Sequence, residues 1–207
     1  MNTLGDSPPS SQALDAAAVR GLLPHRPPFL FVDRAEIEPK SGWSRTWYLF
    51  QAKDPFFEGH FPGYPLVPGV VILECMAQAS RLLLNARAGG LRPGFLVGVD
   101  GAKFNHKVHP GDLLRVETRL TRATGDGAMD GEGAIHSFGC AAYLDITRCA
   151  RAQINLYQAP ARRTGSGGIG MTCEQLHDEY ELYALGLADE PESSEVSAHL
   201  DSGCQTC

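Results

Sequence analysis

One run constrains this chain more than any other: Glu58-Gly-His-Phe-Pro-Gly-Tyr-Pro-Leu-Val-Pro-Gly-Val-Val-Ile-Leu-Glu-Cys-Met-Ala-Gln-Ala79. Its first half sets Pro62, Gly63, Pro65, Pro68 and Gly69 around His60. These residues fix or free backbone angles, so the segment is a shaped loop. The second half, Val70 to Leu84, is apolar apart from Glu74, Gln78 and a few small or basic residues. It has helical length and meets a stop at Gly89-Gly90. A helix so apolar is buried on most of its circumference, and the fold must wrap around it. Pro68 and Gly69 stand at its start, where backbone N–H groups have no partner inside the helix.

Glu74 is the anomaly, because a buried carboxylate must be paired, protonated or in use. Gln78, four residues on, shares its face and is within reach. A histidine base, a carboxylic acid and free N–H groups at a helix start are the parts that proton abstraction beside a carbonyl requires. Each part alone reads equally well as ordinary structure: a solvated loop histidine, a satisfied core pair, a tight turn.

Taken together, the parts resemble the (3R)-3-hydroxyacyl-[acyl-carrier-protein] dehydratases of bacterial type II fatty acid synthesis. The matching residues are Gly59-His-Phe-Pro-Gly63, Pro65-Leu-Val-Pro-Gly69 and Leu73-Glu-Cys-Met-Ala-Gln78, with His60 fourteen positions ahead of Glu74. Upstream the likeness takes in Leu22-Leu-Pro-His-Arg-Pro-Pro-Phe-Leu-Phe-Val-Asp-Arg34. Downstream it includes Gly98-Val-Asp-Gly-Ala-Lys-Phe104 and Val108-His-Pro-Gly-Asp112, and it spans Leu22 to Gln158. It implies an α+β hot-dog fold, an antiparallel sheet wrapped around one long central helix. The implied reaction turns a 3-hydroxyacyl chain on an acyl carrier protein into the trans-2-enoyl thioester. The resemblance makes His60 the base, Glu74 the acid, the Gly69 N–H the oxyanion donor and Gln78 the group orienting Glu74. Tyr64, Phe61 and Val70 are expected along the substrate tunnel, and neither cofactor nor metal is expected. A homodimer with active sites shared between subunits is implied, and a trimer of such dimers is admitted. Lys103, Lys107 and Arg119 are candidates for meeting an acidic carrier. Glutamate rather than aspartate at 74 points to the branch that dehydrates without isomerising.

Arg81 departs from that pattern, standing where relatives carry a small or apolar residue. It would either pair with Glu74 and weaken the acid or reach solvent, and together with the acidic extension it keeps a non-catalytic, carrier-binding subunit open as an alternative. A hot-dog thioesterase is the other alternative. His25, within Pro24-His-Arg-Pro-Pro28, is read as part of a rigid turn.

Around this centre the sequence predicts a helix over 12–23 and strands over 29–34, 44–52, 95–100, 114–120, 135–144 and 147–156. It places a connection at 36–42 and a hairpin tip at 125–133. Residues 1–11 are expected to be disordered, 12–158 to form the domain and 159–171 a flexible linker. Residues 172–207 form an acidic extension with room for one short helix, 173–187. The net charge of −6 hides an asymmetry: no Lys or Arg follows Arg163, while nine acids do. The preceding body is therefore basic, which suits an acidic protein partner, while no dense basic patch or module for nucleic acid is present. The start of the chain lacks a signal core, and no apolar run reaches the length of a membrane span. Cys204-Gln-Thr-Cys207 lacks the second pair that a zinc site needs. A cytoplasmic protein is expected.

Overall fold

The computed structural model describes residues 10–123 and 134–159. The chain divides into a unit Met1–Ala161 and a unit Arg162–Cys207, and every described residue belongs to the first. The expected hairpin tip, almost all of the linker and the whole acidic extension with its helix lie outside the described residues, as do residues 1–9.

The long helix, α2, runs Gly69–Arg87 and carries the core. From Cys75 to Asn85 every residue is buried, as its apolar composition requires. Gly89, at φ +78°, turns the chain out of the helix, a backbone angle that glycine takes at no steric cost. By length and composition α2 would pass for a membrane span, but 67% of that stretch is buried inside the fold.

A seven-stranded antiparallel sheet wraps this helix. Its strands are β1 (Gln12–Leu14), β2 (Arg34–Glu38), β3 (Trp43–Leu49), β4 (Leu96–Phe104), β5 (Leu113–Ala123), β6 (Ala134–Leu144) and β7 (Thr147–Gln158). Their order across the sheet is β1-β2-β3-β5-β6-β7-β4. Alternation along β5 sends Leu114, Val116 and Thr118 inward, the period-two signature of a strand with one buried face. Phe138 of β6, Ile154 of β7 and Met76 and Leu83 of α2 are fully buried in one cluster. The turn between β6 and β7 has no glycine, and Asp145 takes the left-handed conformation there, φ 52°. Aspartate is one of the few non-glycine residues that tolerate it.

Two of the sequence expectations fail locally. The stretch 12–23 is not one helix. Gln12–Leu14 pairs with the edge of β2, and a shorter helix, α1 (Ala16–Leu22), starts at Asp15, whose Oδ1 accepts from the Ala18 N–H at 2.8 Å. That N-cap sets the boundary by meeting a donor that has no partner within the helix. Residues 29–34 are not a strand either, apart from Arg34. The strand begins there and uses Ile37 and Glu38, which the sequence assigned to a connection. The reason is tertiary: the backbone of Phe29 and Phe31 bonds to a side chain of α2 instead of a neighbouring strand.

Phe138 tests the core. Phe138→Ala is expected to destabilise the fold by about 3–5 kcal/mol. Chemical denaturation should show a lower midpoint with an unchanged slope.

Candidate active site

Gln78 is fully buried, and its amide is used in full. Its Oε1 accepts from the Phe31 N–H at 2.8 Å. Its Nε2 donates to the Phe29 carbonyl and to Glu74 Oε1, both at 2.9 Å. The helical spacing that put 74 and 78 on one face therefore yields a direct bond. Glu74 itself is not sealed as the sequence led one to expect: its side chain keeps 20% of its exposure. The contacts found on it fall on Oε1, and Oε2 is unclaimed among the described residues.

His25 joins this group. Its Nε2 lies 3.6 Å from Glu74 Oε1, so the histidine assigned to a rigid turn stands beside the carboxylate. Sequence spacing offers no sign of this, because forty-eight residues lie between it and Glu74. Burial of the ring is the main effect on its titration and holds it below the ordinary imidazole value. The Glu74 charge acts in the opposite sense, and Arg81 and Arg26 reinforce the lowering.

Arg81 does not pair with Glu74. The guanidinium is buried, donates to the Arg92 carbonyl, and reaches the Tyr157 carbonyl at 3.4 Å. Burial draws it down to about 10, so it remains a cation at neutral pH. Neither alternative open from the sequence, an ion pair with Glu74 or escape to solvent, is found, because backbone carbonyls inside the fold take the guanidinium.

His60 sits in the loop ahead of α2, after the 3-10 turn Pro55–Glu58. Its Nδ1 lies 2.9 Å from the Leu66 carbonyl. Nδ1–H donation to that oxygen leaves the Nε2 lone pair free to take a proton. Phe61 stacks on the ring with centroids 4.1 Å apart. Among the described residues no hydrogen bond or ion pair joins His60 to Glu74 of the same chain. Gly69 opens α2, so its N–H has no acceptor within the helix and the positive end of the helix dipole lies there. A side chain at 69 would meet the Phe104 ring at 3.0 Å, which is why the helix begins with glycine where β4 crosses it.

The remaining candidates lie on the surface. Val70 is 72% exposed, the reverse of a core position, because it faces out from α2, whereas Ile72 in the same turn is buried. Phe61 and Tyr64 are also exposed. The Tyr64 hydroxyl lies 3.1 Å from Lys107 Nζ and its ring meets His109 edge-on.

Comparison with known proteins bears on this geometry. A family model described as a FabA-like domain matches residues 23–150. The chain is 41% identical over 132 residues to the 3-hydroxyacyl-[acyl-carrier-protein] dehydratase FabZ of Yersinia enterocolitica, covering 59% of this chain and 79% of that protein. It is similar to the FabZ of Yersinia pseudotuberculosis at the same identity, covering 75% of that protein. Among solved structures, the dehydratase heterocomplex ApeI:P from Xenorhabdus doucetiae superposes with a TM-score of 0.55 at 18% identity, covering 78% of this chain and 96% of that one. That likeness is one of fold, and the helix wrapped by an antiparallel sheet is the hot-dog fold.

Gln78→Leu tests the clamp. It strands the Phe31 N–H and the Phe29 carbonyl and frees Glu74, which is expected to cost about 3 kcal/mol of stability. Thermal unfolding of the variant beside the wild type measures it.

Proposed function

We propose, from the premise that this chain belongs to the FabA-like family and within it to the 3-hydroxyacyl-[acyl-carrier-protein] dehydratases, that it removes water from a 3-hydroxyacyl thioester on an acyl carrier protein. The product is the trans-2-enoyl thioester. The observation that carries the assignment to these residues is the Glu74 carboxyl, held through Oε1 by Gln78 with its other oxygen open.

His60 Nε2 takes the C2 proton, since Nδ1 is engaged at Leu66. Negative charge then grows on the thioester oxygen. The Gly69 N–H and the dipole of α2 meet it where it develops, the form of stabilisation that contributes most in such reactions. Glu74 passes a proton to the C3 hydroxyl, which leaves as water. Because no hydrogen bond or ion pair joins His60 to Glu74 within one chain among the described residues, the site is completed by a second copy. The open edge of β4 supports this reading: Leu96, Val97 and Phe104 on it are exposed, as are Phe95 beside it and Val70 at the helix start. Such an apolar, half-paired edge invites another strand. A second copy there gives a homodimer with shared sites, which a trimer of dimers would repeat. Lys107, with Tyr64, and Lys103 and Arg119 are the basic groups offered to the acidic carrier. The protein is read as cytoplasmic. With Arg81 turned to backbone carbonyls, one of the two grounds for a non-catalytic subunit is lost; the other, the acidic extension, lies outside the described residues.

Absorbance of the conjugated enoyl thioester follows the reaction. His60→Ala and Glu74→Gln are each expected to lose at least about a hundredfold in kcat. Mixing the two inactive chains under exchange conditions should restore about a quarter of the wild-type rate, since half of the dimers are mixed and each regains one of two sites. A site built within one chain would restore nothing.

A further inference from the structure

His25 holds a position that the chemistry above does not use. Its Nε2 faces Glu74 Oε1 at 3.6 Å, the same oxygen that Gln78 holds at 2.9 Å. Its Nδ1 is buried and has no hydrogen-bond partner among the described residues. An unmet N–H in such a place is rarer and costlier than an unmet lone pair. The neutral ring therefore carries its proton on Nε2, aimed at the carboxyl. Oε1 then faces two N–H donors and acts as the acceptor oxygen of the carboxylic acid, so the acidic proton belongs on Oε2. The gap to Oε1 exceeds a hydrogen bond by about 0.7 Å, and catalytic contacts of this kind tighten when substrate binds.

We propose that His25 is a positioning residue for the proton donor: with Gln78 it holds Oε1 of Glu74 and so directs the transferable proton to Oε2, on the open side of the carboxyl. This rests on the reading of Glu74 as the acid. In the reaction, the Oε2 proton goes to the C3 hydroxyl oxygen and the C3–O bonding pair leaves with the water formed. The C2–H pair becomes the second bond between C2 and C3, and that proton goes to His60. Glu74 is left as a carboxylate under the N–H groups of Gln78 and His25.

Protonation of His25 undoes this arrangement, because the imidazolium would bury an unmet Nδ1–H and set a full charge against the oxygen that the neutral ring meets only as a donor. The charged groups facing the ring are Glu74 and Arg81 from α2 and Arg26 from its own segment. Burial keeps the ring neutral further into acid than an ordinary imidazole, so the effect enters below about pH 6.5.

The experiment measures kcat and KM from pH 5 to 8 for wild type, His25→Gln and His25→Leu, with melting temperatures for each. His25→Leu is expected to lose about tenfold to a hundredfold in kcat, the effect of one hydrogen bond to a charged group, with KM within about twofold. His25→Gln keeps an N–H donor and should recover most of that loss at neutral pH. On the acid side the wild-type rate should fall by one power of ten per pH unit more than that of His25→Gln, which has no ring to protonate. An acid limb of unchanged slope in His25→Gln, or a wild-type kcat in His25→Leu, overturns the proposal. If the leucine variant does not fold, the slope in His25→Gln decides. Full activity in Glu74→Gln would instead remove the assignment of the acid, and this inference with it.

Discussion

The Gln78 amide is the interaction on which the rest depends. It lies fully buried in α2 and meets the Phe31 N–H, the Phe29 carbonyl and Glu74 Oε1. An unsatisfied amide there would carry a desolvation cost that a small domain can scarcely carry, whereas a fully bonded one in a low-dielectric interior is rigid. Two consequences follow from this one group. The segment 29–31 is held against the helix without any strand partner, and the carboxylate one turn back is fixed by one oxygen.

That arrangement explains how a single helix serves as both core and site. From Cys75 onward α2 is enclosed by β3, β5, β6 and β7, and Met76, Leu82 and Leu83 have no exposure left. At its first turn Gly69 lets Phe104 of β4 approach, Ile72 is buried and Val70 is open. The polar groups of the site lie between these two regimes, anchored at the buried end and reachable at the other. Arg81 fits the same logic, with its charge spread over backbone carbonyls of Arg92 and Tyr157 and away from the carboxylate. The buried thiols of Cys75, Cys140 and Cys149 are pushed up by burial and belong to the core.

Much of this was legible beforehand because it rests on local rules. The extent of α2, its glycine stop and the contact between Glu74 and Gln78 follow from helical periodicity. Strand β5 follows from alternation and β3 from its aromatic residues, and β6 and β7 lie within two residues of their expected ends. The errors come from contacts between distant parts of the chain and, at 12–23, also from the Asp15 cap. Phe29 to Phe31 has the composition of a strand, yet its backbone partner is a side chain from position 78, so composition alone misassigned it. Val70 is as apolar as Ile72 but lies on the face of α2 turned to solvent.

By itself, then, the sequence determined that an apolar helix must be wrapped, where it starts and stops, and that Glu74 and Gln78 share a face. Those are consequences of periodicity and of residues next to one another in the chain. Only the tertiary structure decided that His25 stands beside Glu74, that Arg81 turns away from it, that Glu74 keeps an open oxygen and that β4 is left as an apolar edge. Each of these joins groups many residues apart, or leaves one uncovered, and no local pattern encodes which distant surfaces meet when the sheet closes on the helix.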